Sequence, residues 1–133
     1  MTKVVFVSKN HLLIERITAY INAREDMTFL LFATTRPNMI MDEIDAFVAD
    51  VVLIDAMSIE ESDILCMCSQ IADSSYSCKC MILTEHELKE VWVNDLEQKQ
   101  LIAGIVSIKD NLDEVFQRIL DNYYKLRSLH CKM

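Results

Sequence analysis

Four polar side chains stand directly after short apolar runs. Asp55 closes Val51-Val52-Leu53-Ile54, Thr84 closes Cys80-Met81-Ile82-Leu83, and Lys109 closes Ile105-Val106-Ser107-Ile108. Ser8, followed by Lys9 and Asn10, comes after Val4-Val5-Phe6-Val7. If these runs are neighbouring parallel strands, a carboxylate, a hydroxyl and an ammonium gather at the carboxyl edge of one sheet, where open α/β sheets place their function. The cysteines are a second group able to do chemistry. Cys66-x-Cys68 and Cys78-x-Cys80 invite a metal or redox reading. Zinc knuckles favour two-residue spacers, and residues two apart on a helix do not face one another, so free thiols are the expectation. Cys78 and Cys80 share a strand face, which keeps a cysteine-based redox or metal sensor open as an alternative. His11, His86 and His130 are too scattered to suggest a ligand set, and His86 is read as a solvated residue near the pocket mouth.

The elements that must position these residues follow from hydrophobic patterning. A fifth apolar run, Thr28 to Ala33, joins the four above. Runs this short and continuously apolar suit strands buried on both faces, as in a parallel sheet. Helical spacing lies between them. Leu13, Ile14, Ile17, Tyr20 and Ile21 recur at steps of three and four, and Pro37 suits the first turn of a short helix running to about Phe47. Ser58-x-x-Glu61, Thr84-x-x-Glu87 and Asn111-x-x-Glu114 each have capping-box spacing before an apolar stripe. The order is βα repeated five times, which predicts one α/β domain: a doubly wound, five-stranded parallel sheet with helices on both faces. The domain is expected over residues 1–126, with 127–133 as a tail or the start of a linker.

Composition excludes several functions. The chain has 133 residues, one Gly, one Pro and a formal net charge of −8. Average glycine usage is roughly 7%, or about nine in a chain this long, so Gly104 alone leaves no room for a Gly-rich phosphate cradle. The acidic balance disfavours nucleic acid and anionic membrane as direct partners. No apolar run is long enough to span a bilayer, the N-terminus does not read as a signal peptide, and five cysteines without scaffold density suit a reducing cytoplasm. Ser8-Lys9-Asn10-His11 supplies neither a flavin phosphate loop nor the cysteine of a phosphocarrier.

The strand-end set resembles the receiver domain of two-component response regulators, the CheY-like, flavodoxin-like (βα)5 fold, over nearly the whole chain. The resemblance implies that Asp55 stands at the phosphoacceptor position and that Thr84 and Lys109 stand at the phosphoryl-contact positions. It implies protein partners: a histidine kinase, a fused DNA-binding output domain, or a second copy of the chain. The face built from the fourth helix, fifth strand and fifth helix commonly mediates receiver dimerisation, which makes Val91, Trp92 and Val106 interface candidates. The departures bear on mechanism. Where the family has two acidic residues to hold Mg²⁺, this chain has Ser8 and Lys9, and Met57 stands in a loop that has lost its usual Pro and Gly. Mg²⁺ requires hard oxygen ligands. Two unit charges about 4 Å apart interact by ~4 kcal/mol at an effective dielectric near 20, so Lys9 repels the cation. No cofactor is expected, and Mg²⁺ binding should be weak or absent. The expectation is a pseudo-receiver, acting by protein interaction without enzymatic turnover, in which Lys9 either pairs with Asp55 in place of the metal or points into solvent, as most lysines do. The alternative is a working phosphoacceptor at Asp55.

Overall fold

The computed structural model describes residues 1–26, 28–85, 91–109 and 111–131, with backbone alone at 91, 92 and 125–131. Five strands alternate with helices: β1 (Thr2–Val7), α1 (His11–Ala23), β2 (Phe29–Thr34), α2 (Ile40–Phe47, entered through a 3₁₀ turn at Pro37–Met39), β3 (Val51–Asp55), α3 (Glu61–Asp73), β4 (Lys79–Thr84), α4 (Val91–Gln98), β5 (Gly104–Ser107) and α5 (Leu112–Cys131). All pairings are parallel and the order is β2-β1-β3-β4-β5. The doubly wound five-stranded sheet read from the sequence is therefore the fold.

Each strand sorts its residues by the two-residue period of the pleat. Val5, Val7, Val52, Ile54, Cys80 and Ile82 face Ile40 and Ile44 of α2, Ile64, Met67, Cys68 and Ile71 of α3, and Leu96 of α4. Val4, Phe6, Val51, Leu53, Met81, Leu83 and Val106 face Leu13, Ile17 and Ile21 of α1 and Val115, Phe116 and Ile119 of α5. Burial on both faces explains why the runs of β1, β3 and β4 are unbroken by polar residues, whereas β2 leaves Leu30 and Phe32 exposed. No helix among the described residues is long and apolar enough to cross a membrane.

Caps fix where the helices begin. Asn10 accepts from the Leu13 N–H at 3.2 Å to start α1. Asn111 accepts from the Glu114 N–H at 2.9 Å, the N-cap bond of the expected box, while the Glu114 carboxylate accepts from the Asn111 side-chain amide at 3.5 Å. The Ser58 box does not form. Glu60, not Ser58, is the N-cap of α3 and makes no side-chain cap bond; the Ser58 hydroxyl donates to Asp55 and accepts from the Lys9 N–H. Glu87, the distal member of the Thr84 box, lies outside the described residues.

Scarcity of glycine shows at the helix ends. α2 closes with the Ala49 N–H bonding the Ile44 carbonyl at 3.1 Å, which puts Val48 in the left-handed region at φ 57°. The turn after α4 closes likewise, Leu101 N–H to Leu96 carbonyl at 2.9 Å, with Gln100 at φ 58°. Both are positions that glycine ordinarily fills. Gly104 is used for close approach instead: a Cβ there would stand 2.9 Å from Asn122 Nδ2 on α5.

Candidate functional site at the β1/β3 switch point

Strand order reverses between β1 and β3, and open α/β sheets bind ligands at that point. Val7 pairs with Ile54 in register, so Ser8 leaves β1 directly alongside Asp55 at the end of β3. Asp55 pairs with Leu83, which places Thr84 at the adjacent strand end, and Thr84 pairs with Ser107 of β5. Topology alone therefore brings Ser8, Asp55 and Thr84 to one edge.

Asp55 is completely buried, and its carboxyl oxygens are held by donors of neutral groups. The Ser8 and Ser58 hydroxyls both donate to Oδ2, at 2.7 and 2.8 Å. The Met57 N–H donates to Oδ1 at 2.9 Å. Each hydroxyl oxygen in turn accepts a backbone proton: Asn10 N–H to Ser8 at 3.0 Å, and Lys9 N–H to Ser58 at 2.9 Å. A serine hydroxyl has one proton to give. Both protons point at Asp55, and the incoming N–H groups polarise them further in that direction. The two hydroxyl oxygens lie 3.3 Å apart. Two N–H···O–H···O chains thus converge on one carboxylate oxygen and bind the loop after β1 to the loop after β3.

The lysines stand apart. Of the two readings of Lys9, the solvent-facing one holds and the Lys9–Asp55 pair is not formed: the ion pairs among the described residues join Arg24 to Asp26 and Asp113, and Lys9 is exposed. With Oδ2 doubly occupied and Oδ1 bound by the loop, Asp55 has no exposed face for an ammonium group. Lys109 is also exposed, in the turn after β5, where its backbone N–H bonds Ser107 Oγ at 3.2 Å. Thr84 is 1% exposed. Met57 contributes its backbone, and its side chain is exposed.

The interface candidates separate in the same way. Val106 is 1% exposed and packs in the core between the sheet and α1/α5, so its side chain offers nothing to a partner. The side chains of Val91 and Trp92 lie outside the described residues, as does His86. Among the described residues no three His, Cys, Asp or Glu side chains are grouped to hold a metal ion. Cys66 is exposed while Cys68 is buried, so that pair does not share a face. Cys68 meets Cys80 instead, with Sγ atoms 3.6 Å apart between α3 and β4. Ser58 is the functional residue that spacing hid: Ser58 and Glu61 fit a capping box, but an Asp three residues before a serine at a strand end equally allows the loop to fold back onto the carboxylate.

No protein-family model matches the chain, and comparison with curated proteins finds no match. Solved structures do match in shape. A DNA-binding response regulator of the LuxR family from Staphylococcus aureus is similar at TM-score 0.75 and 17% identity, covering 92% of this chain and 99% of that one. A CheY-like response regulator receiver domain protein from Methanospirillum hungatei is similar at TM-score 0.76 and 7% identity, covering 96% and 98%. The BeF3-activated receiver domain of RstA from Klebsiella pneumoniae is similar at TM-score 0.70 and 15% identity, covering 92% and 98%. At these identities the likeness defines the fold, which is the CheY-like receiver fold.

Proposed function

We propose that this chain is a receiver-type signal-transduction module that acts by protein–protein interaction in the cytoplasm, as the regulatory part of a transcriptional response regulator, without enzymatic turnover. The receiver fold supports the general reading. One observation carries the particular one: Asp55, at the acceptor position, is fully buried with Ser8 and Ser58 both donating to Oδ2. In that arrangement the oxygen that would attack a phosphoryl donor is a hydrogen-bond acceptor inside a closed loop pair. Ser8 offers a hydroxyl and Lys9 an exposed ammonium where Mg²⁺ would require carboxylates, so no step through a metal is assigned. Partners are a kinase, an output domain or a second copy of the chain, met through surfaces and not through phosphoryl chemistry.

Acetyl phosphate labelling with and without Mg²⁺, read by intact mass, tests this. The expected result is no stable adduct at Asp55. Ready, Mg²⁺-dependent modification overturns it. Ser8→Asp with Lys9→Asp is the complementary test, because restoring the acidic pair should create Mg²⁺ binding that the native chain lacks.

A working phosphoacceptor is the second reading, favoured by buried Thr84 at the strand end beside Asp55. A change in spectrum or oligomeric state on adding beryllofluoride distinguishes it.

A further inference from the structure

Among the described residues, the exposed large apolar side chains of the sheet lie on β2. β2 is an edge strand, and α2 is short. Leu30 and Phe32 point to the same side of the strand and are 42% and 40% exposed. Phe32 leans on Phe47 of α2, ring centroids 5.6 Å apart. Between them runs a groove of about 300 Å³ lined by Phe32, Asp42, Glu43, Ala46 and Phe47. That is at the low end of the ~300–1,000 Å³ typical of small-molecule sites, and it is open, which suits one or two anchoring side chains of a partner.

Charge decides which partner. Asp42 and Glu43 line the groove, and neither is in an ion pair among the described residues. Glu43 Oε1 accepts from Thr34 Oγ1 at 2.9 Å, but Glu43 Oε2 is buried with no hydrogen-bond partner. A buried carboxylate oxygen without a donor is unfavourable, and a cation lying in the groove that Glu43 lines would supply a donor. Arg36, the nearest basic residue in sequence, uses its backbone N–H on Thr34 and makes no ion pair with Glu43. A second copy of a chain with net charge −8 would bring further acid to an acidic rim.

We propose that the α2/β2 groove docks a cationic amphipathic helix of another protein, its apolar face over Phe32 and Phe47 and its Lys or Arg side chains on Glu43 and Asp42. The lining residues 42, 43, 46 and 47 form one helical face, so a helix laid along α2 can interdigitate with it.

The test is an NMR titration of the full chain with synthetic helical peptides carrying a Leu/Phe face and Lys/Arg flanks, against controls with Glu flanks. Cationic peptides should shift the amides of Phe32, Ala46 and Phe47, and the affinity should fall as salt rises. Phe32→Lys should weaken binding about tenfold or more, and Glu43→Gln should weaken it several-fold while leaving the fold intact by heteronuclear correlation spectra. Equal binding of the Glu-flanked peptides, or binding by no cationic peptide at millimolar concentration, overturns the proposal. So does self-association of the unliganded chain that Phe32→Lys abolishes, because the occupant is then a second copy.

Discussion

Ser8 Oγ donates to Asp55 Oδ2 at 2.7 Å across the point where strand order reverses, and both residues are fully buried. The bond joins the loops after β1 and β3, so it contributes stability as well as closing the site. Ser8→Ala removes the donor and also leaves the Asn10 N–H without its acceptor. A buried polar group left unpaired costs about 1–3 kcal/mol, and urea unfolding of Ser8→Ala should show a loss in that range. Ser58→Ala should cost a similar amount. The double variant should depart from additivity, since the two hydroxyls share one oxygen. Losses under half a kilocalorie for both single variants would show that the hydroxyls do not hold the loops.

Lys9 and Lys109 should behave as solvent-exposed residues. Neither forms an ion pair with Asp55, so Lys9→Ala and Lys109→Ala should each change stability by less than about 0.5 kcal/mol. A loss of 2 kcal/mol or more for Lys9→Ala would restore the view that its ammonium compensates Asp55.

The fold was legible because strand burial leaves a mark that does not depend on contacts. Val51 to Ile54 can be uninterrupted only if both faces of β3 are covered, and they are. The site was legible to the level of strand ends: register carries Ser8, Asp55 and Thr84 to one edge once the order of strands is known. Side-chain direction was not. Lys9 and Ser8 are adjacent, and only the pleat decides that the serine turns inward and the lysine outward. Phe32 reads as core, like every apolar residue of its run, because no local pattern says that β2 is an edge. Ser58 satisfied a helix-cap spacing and a carboxylate-binding one equally well; in the fold its proton goes to Asp55 and its oxygen accepts from the Lys9 N–H, where a cap would have accepted from the helix.

The strained helix end offers a stabilising change. Val48 holds φ at 57° with a β-branched side chain that is 67% exposed, so little burial compensates the conformation. The left-handed region costs an L-residue roughly 1–2 kcal/mol, and glycine loses about 0.5–1 kcal/mol more chain entropy on folding. Val48→Gly should therefore stabilise the domain by a few tenths to about 1 kcal/mol, seen as a higher urea midpoint with an unchanged slope. Destabilisation would mean that Val48 packs more than its exposure suggests.

Thiol chemistry should divide by burial. Cys66 is exposed, whereas burial pushes the Cys78 thiol up to about 12, and the Cys68 contact together with burial raises Cys80 well above its ordinary value. The thiolate is the reactive form. Iodoacetamide under native conditions, mapped by peptide mass, should label Cys66 and spare Cys68, Cys78 and Cys80. Rapid labelling of the Cys68–Cys80 pair, or its oxidation to a disulfide by mild oxidant, would instead favour a redox sensor.

The seam between α1 and α5 should set the pH limits of stability. Arg24 bonds Asp26 at 2.6 Å, bonds the Tyr20 hydroxyl at 2.7 Å and lies over the rings of Tyr20 and Phe29, while Tyr20 donates to Asp113 at the start of α5. The Arg24 guanidinium holds the Asp26 carboxyl down at about 2. A carboxyl with a lowered folded-state pKa stabilises above its unfolded value near 3.8, and that contribution is lost as pH falls through about 2. Tyr20 moves the other way: burial first, then its bond to Asp113, raises it above 10.0. Its contribution is complete below pH 10 and disappears as pH rises through the higher folded value. Asp26→Asn should flatten the acid limb of the stability profile between about pH 4 and pH 2, and Tyr20→Phe should flatten the alkaline limb. Arg24 is the main cause of the Asp26 shift and opposes the Tyr20 one, so Arg24→Ala should flatten the acid limb as Asp26→Asn does while leaving the alkaline limb in place or steeper, which thermal unfolding at a series of pH values distinguishes from Tyr20→Phe.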